Sequence, residues 1–264
     1  MVNNIAFPKL GLDFNINRVA FSIGPKDIYW YGIIIGLGFI LAVLFVCSDC
    51  QKRGVKRENI YDIAIYGLVF GLLGARIYYV IFDFESVRGS FLNFFAVWNG
   101  GLAIYGGIIG AAVSTFVYCR RKKLNVLNVF DVCAPGLLIG QIIGRFGNFM
   151  NAEVYGRATS LPWQMSINGA AGVHPLFRYE RLWNLIGFIF LIIYRNKKKA
   201  DGEIFLMYIL WYALGRIWLE GMRQPEYILY LVPNVIGISQ VVSAVVIVAA
   251  AIGLWKVRGK QKNM

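Results

Sequence analysis

The sequence predicts an all-α membrane protein with seven transmembrane helices, an outer N-terminus, a cytoplasmic C-terminus and a small extracytoplasmic cap. Three observations lead there. Of the 264 residues, 58% are hydrophobic and only 16% charged, against roughly 25% charged in an average soluble domain. Apolar runs near 20 residues recur along the chain, long enough as helices to cover the roughly 30 Å hydrocarbon layer. Basic clusters follow alternate runs, as they do where cytoplasmic loops carry the Lys and Arg of a polytopic protein. A water-solvated fold needs polar helix faces that this composition does not supply, so bilayer is the main solvent.

The elements follow in order. Residues 1–27, with Pro8 and Pro25, read as an outer N-terminal arm. They lack the basic start, apolar core and small-residue cleavage site of a secretory signal. Span one covers about residues 28–48 and ends in Cys47-x-x-Cys50. That pair could be a redox or metal motif. No second Cys/His pair lies nearby, which favours two small apolar residues beside a reducing cytoplasm. Span two, 61–82, carries Gly74-Ala75-Arg76. Span three, 98–119, opens with Trp98-Asn99-Gly100-Gly101 and continues through Tyr105-Gly106-Gly107 to Gly110. Glycines there mark close packing or an open backbone, and Tyr105 between them reads as a polar tip in a shallow pocket or as an interfacial tyrosine.

Span four, 125–147, runs into Gly144-Arg145-Phe146-Gly147-Asn148-Phe149-Met150-Asn151-Ala152-Glu153-Val154-Tyr155-Gly156. Residues 148–176 then read as an outer cap. Turns and short strands are expected in both the arm and the cap. Spans five, six and seven cover 177–194, 203–222 and 237–255. The four basic clusters are Lys52, Arg53, Lys56 and Arg57; Arg120 to Lys123; Arg195 and Lys197 to Lys199; and Lys256, Arg258, Lys260 and Lys262. Together they hold 16 of the 27 Lys and Arg. All four fall on one side only if the count is seven. The chain therefore reads as a single polytopic membrane domain, 1–264. No internal repeat of the transporter kind is evident.

The net charge of +13 is explained by topology and anionic cytoplasmic lipid. No basic stripe interleaved with aromatics suggests nucleic acid as a partner.

Three arginines, Arg76, Arg145 and Arg216, fall within or at the edge of spans. Each costs about 2.5–3.5 kcal/mol near a helix centre on insertion scales. Structural pairing with carboxylates or backbone carbonyls is one reading. The other is an anion site. Tyr212, Arg216, Glu220 and Arg223 share one helical face. They form either a polar packing seam or one wall of a phosphate or carboxylate site. Residues 144–156 add Arg145, Asn148, Asn151 and Glu153 at the outer end of span four. The planar guanidinium fork suits phosphate oxygens. Metal-ligand spacing is not seen.

These residues together resemble the bacterial prolipoprotein diacylglyceryl transferases. The resemblance runs over almost the whole chain: Trp30-Tyr31-Gly32, Gly74-Ala75-Arg76, the Gly-Gly segment of span three, residues 144–156, His174-Pro175 with Tyr179-Glu180, and the face from Tyr212 to Arg223. It implies transfer of the diacylglyceryl group of phosphatidylglycerol to the lipobox cysteine thiol of a prolipoprotein signal peptide. A thioether forms and glycerol phosphate leaves, at the outer side of a bacterial plasma (inner) membrane. It implies Arg145 and Arg216 for the lipid phosphate and Glu220 as orienter of Arg216. Asn148, Asn151, Glu153 and Gly156 shape the headgroup or peptide site, and Tyr31 and Tyr212 line it. No cofactor is implied, and the partners are phosphatidylglycerol, the prolipoprotein and membrane lipids. One departure stands out: Tyr105 replaces the family's usual histidine. With an ordinary pKa near 10, tyrosine is a poor base at neutral pH, so a hydrogen-bonding role is expected. Leu176-Phe177-Arg178 also departs from the family's more polar Ser/Thr-Gln pattern. The competing readings are a transporter of an anionic solute, against which stands the clustering of polar residues toward one side, and a metal-dependent phosphatidyl transferase. Against the latter, Asp131, Glu153, Glu180 and Glu220 lie scattered over the sequence rather than clustered for Mg²⁺.

Overall fold

The structure, a computed structural model, describes residues 2–83, 94, 100–232 and 235–262. Among these, seven long helices follow the seven apolar runs: α1 Trp30–Asp49, α2 Arg57–Phe82, α3 Ile104–Arg121, α4 Val126–Asn151, α5 Leu176–Tyr194, α6 Glu203–Gly221 and α7 Ile238–Lys262. The runs centred on α1, α2, α4, α6 and α7 are long and apolar enough to cross a membrane. The other two are diluted at one end, α3 by Arg120 and Arg121 and α5 by Arg178, Glu180 and Arg181. Large apolar side chains stand exposed along the helices, such as Leu37, Ile40 and Leu44 on α1 and Val245 and Val248 on α7. Such surface is tolerable only against an apolar partner or solvent.

Several boundaries differ from the sequence reading: α2 starts at Arg57 rather than 61, and α7 runs on to Lys262 rather than ending at 255. The third helix starts at Ile104 rather than at residue 98. Trp98 and Asn99 lie outside the described residues, and Gly100 and Gly101 take positive φ of 88° and 73°, which breaks a helix before it starts. The fourth helix runs on past 147 to Asn151, because helical hydrogen bonding does not stop where apolarity does. Asn148 and Asn151 are therefore helical, not part of the cap.

The chain divides into two compact units, Val46–Val132 on one hand and Met1–Phe45 with Cys133–Met264 on the other. In the first, α2 and α3 meet across glycines. A Cβ on Gly74 would collide with the Gly106 carbonyl, and one on Gly106 with the Gly74 carbonyl. A Cβ on Gly110 would meet the Phe70 carbonyl. The G-x-x-x-G of α3 is thus a backbone-to-backbone seam of the kind small residues permit. Arg76 closes the end of this unit. Its Nε donates to the Phe94 carbonyl (2.9 Å) and its Nη1 to the Gly100 (2.9 Å) and Gly101 (2.8 Å) carbonyls. At the other end, Tyr118 on α3 donates to Asp62 on α2 (2.6 Å).

In the second unit the N-terminal arm is sheet. Strand β1 (Val2–Phe7) lies between β2 (Leu12–Asn17) and β5 (Ser166–Ile167), both antiparallel to it. β3 (Val19–Ile23) and β4 (Lys26–Tyr29) form a hairpin leading into α1. β5 belongs to the segment between α4 and α5, so the arm and that segment share a core of Ile5, Phe7, Met165, Val173 and Phe177. No local signal marks this pairing, which joins residues about 160 apart. β6 (Tyr230–Val232) and β7 (Ile236–Gly237) form a small hairpin before α7.

Two side-chain locks hold α5, α6 and α7 together. Trp183 and Trp211 stack at 4.5 Å, and each indole N–H donates to the other's backbone carbonyl at 3.0 Å. Each indole fills the space over a glycine, Trp211 over Gly187 and Trp183 over Gly215. Near the start of α6, the fully buried Glu203 accepts from Tyr194 (2.8 Å), the Lys199 amide (2.7 Å) and Arg258 of α7 (2.6 Å). A carboxylate at 0% exposure survives only with such a set of donors.

Candidate functional site

The final turns of α4 and α6 and the first turn of α5 bring together most of the residues singled out from the sequence. Arg145 donates through Nη1 to Asn148 Oδ1 (2.9 Å). Asn148 passes the contact on, its Nδ2 donating to Glu153 Oε1 (3.0 Å), and Asn151 Nδ2 reaches the same oxygen (3.3 Å). Glu153 can fold back onto α4 because the chain reverses just after the helix. Ala152 and Val154 take φ of 54° and 59°, and the Glu153 amide donates to the Asn148 carbonyl (3.1 Å). Left-handed backbone at a β-branched valine is a genuine outlier and costs on the order of 1–3 kcal/mol. The turn is held there by its neighbours, among them Arg18 of the arm, whose guanidinium donates to the Asn151 carbonyl.

Glu180 on α5 joins the two arginines that the sequence assigned separately. One carboxylate oxygen pairs with Arg145 and the other lies 3.9 Å from Arg216. Arg216 Nη2 is 2.9 Å from Glu220, and Arg223 is 3.6 Å from the same oxygen. The result is one chain of charges, Arg145–Glu180–Arg216–Glu220–Arg223. Glu153 joins this cluster through Asn148, so three guanidiniums stand with three carboxylates. The side chains of Glu180 and Glu220 are 8% and 3% exposed, and those of Arg145 and Arg216 are 23% and 22%. Those two acids are buried behind the arginines, so an arriving anion meets guanidinium donors. Burying either acid alone would cost several kcal/mol; here each has two guanidiniums in reach.

The remaining expected residues are placed as follows. The ring of Tyr31 on α1 lies against Gly147, where a Cβ would approach it to 2.7 Å, and Ile35 packs on Gly144. The two glycines thus let α1 approach α4 beside the Arg145–Asn148 contact. Tyr212 is 38% exposed on α6, one turn from Arg216, with its ring 6.4 Å from Tyr208. Gly156 is stitched by its backbone. It pairs antiparallel with Arg223, and its amide donates to the His174 carbonyl (2.9 Å). A Cβ there would meet His174 and the Met222 carbonyl at 2.7 Å, so only glycine lets the segment after α4 touch the end of α6. His174, outside the helices, is partly buried, and burial pushes its imidazole below the ordinary value. Its Nδ1 lies 3.2 Å from the Tyr179 hydroxyl. Tyr105 belongs to the other unit, where it stands 47% exposed at the start of α3 with its ring 6.4 Å from Tyr78.

Sequence reasoning missed two residues. Glu180 read as one of several scattered acids, yet the fold sets it between two arginines. Its signals were an acid at the start of an apolar run and its place in the Tyr179-Glu180 pair of the family resemblance, neither of which gave it a role. Arg18 gave no signal, since its partner is 133 residues away.

Comparison with known proteins places the chain in a family. A family model described as prolipoprotein diacylglyceryl transferase matches residues 18–256. A protein of Streptococcus equi subsp. zooepidemicus (strain H70) named phosphatidylglycerol–prolipoprotein diacylglyceryl transferase is 39% identical over 259 residues, spanning 94% of this chain and 98% of its own. The protein of the same name from Streptococcus pyogenes serotype M5 (strain Manfredo) is 40% identical with the same coverage.

Proposed function

The chain belongs to the prolipoprotein diacylglyceryl transferase family, and we propose that it moves the diacylglyceryl group of phosphatidylglycerol onto the lipobox cysteine of a prolipoprotein. The observation that carries this is the arginine–carboxylate chain. Its part-exposed guanidiniums, held from behind by buried acids, suit a phosphodiester anion.

The reaction balances with groups already named. The cysteine sulfur attacks the glyceryl carbon that bears phosphate. A C–S bond forms, the C–O bond breaks, and its electron pair goes to the phosphate oxygen of the leaving glycerol phosphate. The thiol proton is balanced on that leaving group, whose second pKa is near 6. Arg145 and Arg216 stabilise the charge that grows on phosphate, and preorganised donors of this kind are worth about 10²–10³ in rate. Their field also favours the thiolate over a thiol of ordinary pKa about 8.5. Glu220 and Glu180 hold the guanidiniums in place. Asn148, Asn151 and Glu153, with Gly156, shape the headgroup or peptide site, and Tyr31 and Tyr212 line the lipid side. Tyr105 acts as a hydrogen-bonding group where relatives of the family carry a histidine base.

The same reading takes the chain as one polytopic domain of a bacterial plasma (inner) membrane with seven spans. Supporting it, the family match runs through both compact units, and basic clusters follow α1, α3, α5 and α7. The N-terminal arm and the segment between α4 and α5 then form the outer cap, and the C-terminus is cytoplasmic. Transport of an anionic solute is not favoured, since the relatives are named as transferases.

The test is transfer from phosphatidylglycerol to a lipobox peptide by purified protein in detergent. Thioether formation is expected, with Tyr105→Phe retaining more than about a tenth of the rate, within the range of a lost hydrogen bond. A folded protein that transfers nothing, or that moves an anionic solute across proteoliposomes instead, would overturn the reading.

A further inference from the structure

One polar pair lies below the charged chain, apart from the groups that meet the phosphate. Gln141 sits one turn before Arg145 on α4, and Tyr208 sits one turn before Tyr212 on α6. Gln141 Nε2 donates to the Tyr208 hydroxyl at 2.8 Å. Gln141 Oε1 is buried and has no partner among the described residues. Exchanging the amide's oxygen and nitrogen changes which atom is left over, not the outcome. In one orientation the Tyr208 proton is unused, in the other the amide N–H groups are. Both residues are only partly buried. Beneath them lies a dry cluster of Ala134, Leu138, Leu191 and Ile204, with Tyr208 packed against its edge.

The placement is specific. Each helix carries polar residues in register down one face: Gln141, Arg145 and Asn148 on α4, and Tyr208, Tyr212, Arg216 and Glu220 on α6. By helix rise, Gln141 is about 6 Å from Arg145 and Tyr208 about 12 Å from Arg216 along the axes. The pair is the floor of the polar stripe, with the Ala134, Leu138, Leu191 and Ile204 cluster beneath it. A donor lipid held at the arginines by its phosphate reaches its nearer ester carbonyl about 7 Å away at full extension. The two ester carbonyls are the acceptors that the diacylglyceryl moiety brings near this depth, since the tails beyond them are hydrocarbon.

We propose that Gln141 and Tyr208 form an ester-carbonyl subsite, which receives a fatty-acyl carbonyl of the donor lipid and so selects diacyl over dialkyl glycerolipids. The assignment rests on the transferase reading. With the amide turned so that Tyr208 donates to its oxygen, the buried atom without a partner is a donor, and a donor left unfilled is what makes a site reject an analogue lacking the matching acceptor. A purely structural hydrogen bond between α4 and α6 would be indifferent to the lipid's linkage.

The experiment compares two donors in mixed micelles, ester-linked dioleoyl phosphatidylglycerol and its ether-linked dialkyl counterpart, with a lipobox peptide as acceptor. The unaltered protein is expected to use the ester about tenfold better in kcat/KM, through KM, the order expected of one hydrogen bond to a neutral carbonyl. Tyr208→Phe and, separately, Gln141→Leu should bring that ratio close to one. Because the ratio compares two donors on the same protein, partial misfolding cancels from it. Equal use of the two donors by the unaltered protein, or an unchanged ratio in both variants, overturns the subsite while transfer itself stands. No transfer from the ester donor overturns the transferase reading and the subsite with it.

Discussion

Two regions of this protein answer the same problem, an arginine in an apolar helix, in opposite ways. In the unit of α2 and α3, Arg76 is 5% exposed and spends its donors on the carbonyls of Phe94, Gly100 and Gly101. These contacts tie Phe94, Gly100 and Gly101 to α2. In the other unit, Arg145 and Arg216 face buried carboxylates and keep 23% and 22% of their side-chain surface accessible. The first set of contacts ties backbone to a helix, and the second holds guanidiniums against buried acids while leaving part of their surface open to an anion. An intramembrane arginine is therefore not by itself a sign of function. What its donors meet, and whether it stays accessible, decides.

That contrast can be broken most sharply at the site. Arg145→Ala and Arg216→Ala are each expected to cut diacylglyceryl transfer at least a hundredfold, the scale of a lost transition-state donor, with the fold retained. Near-normal transfer by either variant in the lipobox-peptide assay would put the pair in the structural class of Arg76. A smaller effect is expected from Glu180→Gln, which keeps the shape and removes one negative charge. Both guanidiniums lose a partner and their placement, so the KM for phosphatidylglycerol should rise by about ten- to thirtyfold, the worth of hydrogen bonds to charged groups, with kcat falling less. If kcat falls instead while KM holds, Glu180 takes part in the chemical step rather than in positioning. The smallest effect on transfer is expected from Arg76→Ala. It removes three part-buried hydrogen bonds to carbonyls, each worth about 0.5–1.5 kcal/mol, so thermal unfolding should drop. The rate per folded molecule should stay within about fivefold, as for a residue whose loss acts on stability alone. A loss of transfer as large as that of Arg145→Ala, at undiminished stability, would dissolve the comparison.

Much of the fold was legible because its signals are local. The apolar runs gave seven helices, and the end of α6 was right to within a residue. Where the runs misled, local chemistry at the ends was the cause: paired glycines with positive φ delayed α3, and polar asparagines continued α4 beyond its apolar stretch. The site was half legible. The i, i+4 spacing of Arg216 and Glu220 predicted their ion pair, found at 2.9 Å, because helix geometry alone fixes that distance. The sequence could not supply the bridge between Arg145 and Arg216. Glu180 stands 35 residues from one and 36 from the other, and it reaches both only because the Trp183–Trp211 stack seats α5 on α6.

The sequence by itself determined which segments are apolar enough for lipid, which carry the intramembrane arginines, and the family to which the whole belongs. These depend on composition and spacing along single helices, where each residue adds its share independently. Only the tertiary structure decided that Arg76 closes on carbonyls while Arg145 and Arg216 share an acid, and that the arm and the segment after α4 join in one sheet. It also decided that a Gln–Tyr pair floors the polar stripe. Those outcomes depend on which helix faces meet, and a packing choice of that kind is settled by the fit of many side chains at once, not by any one of them.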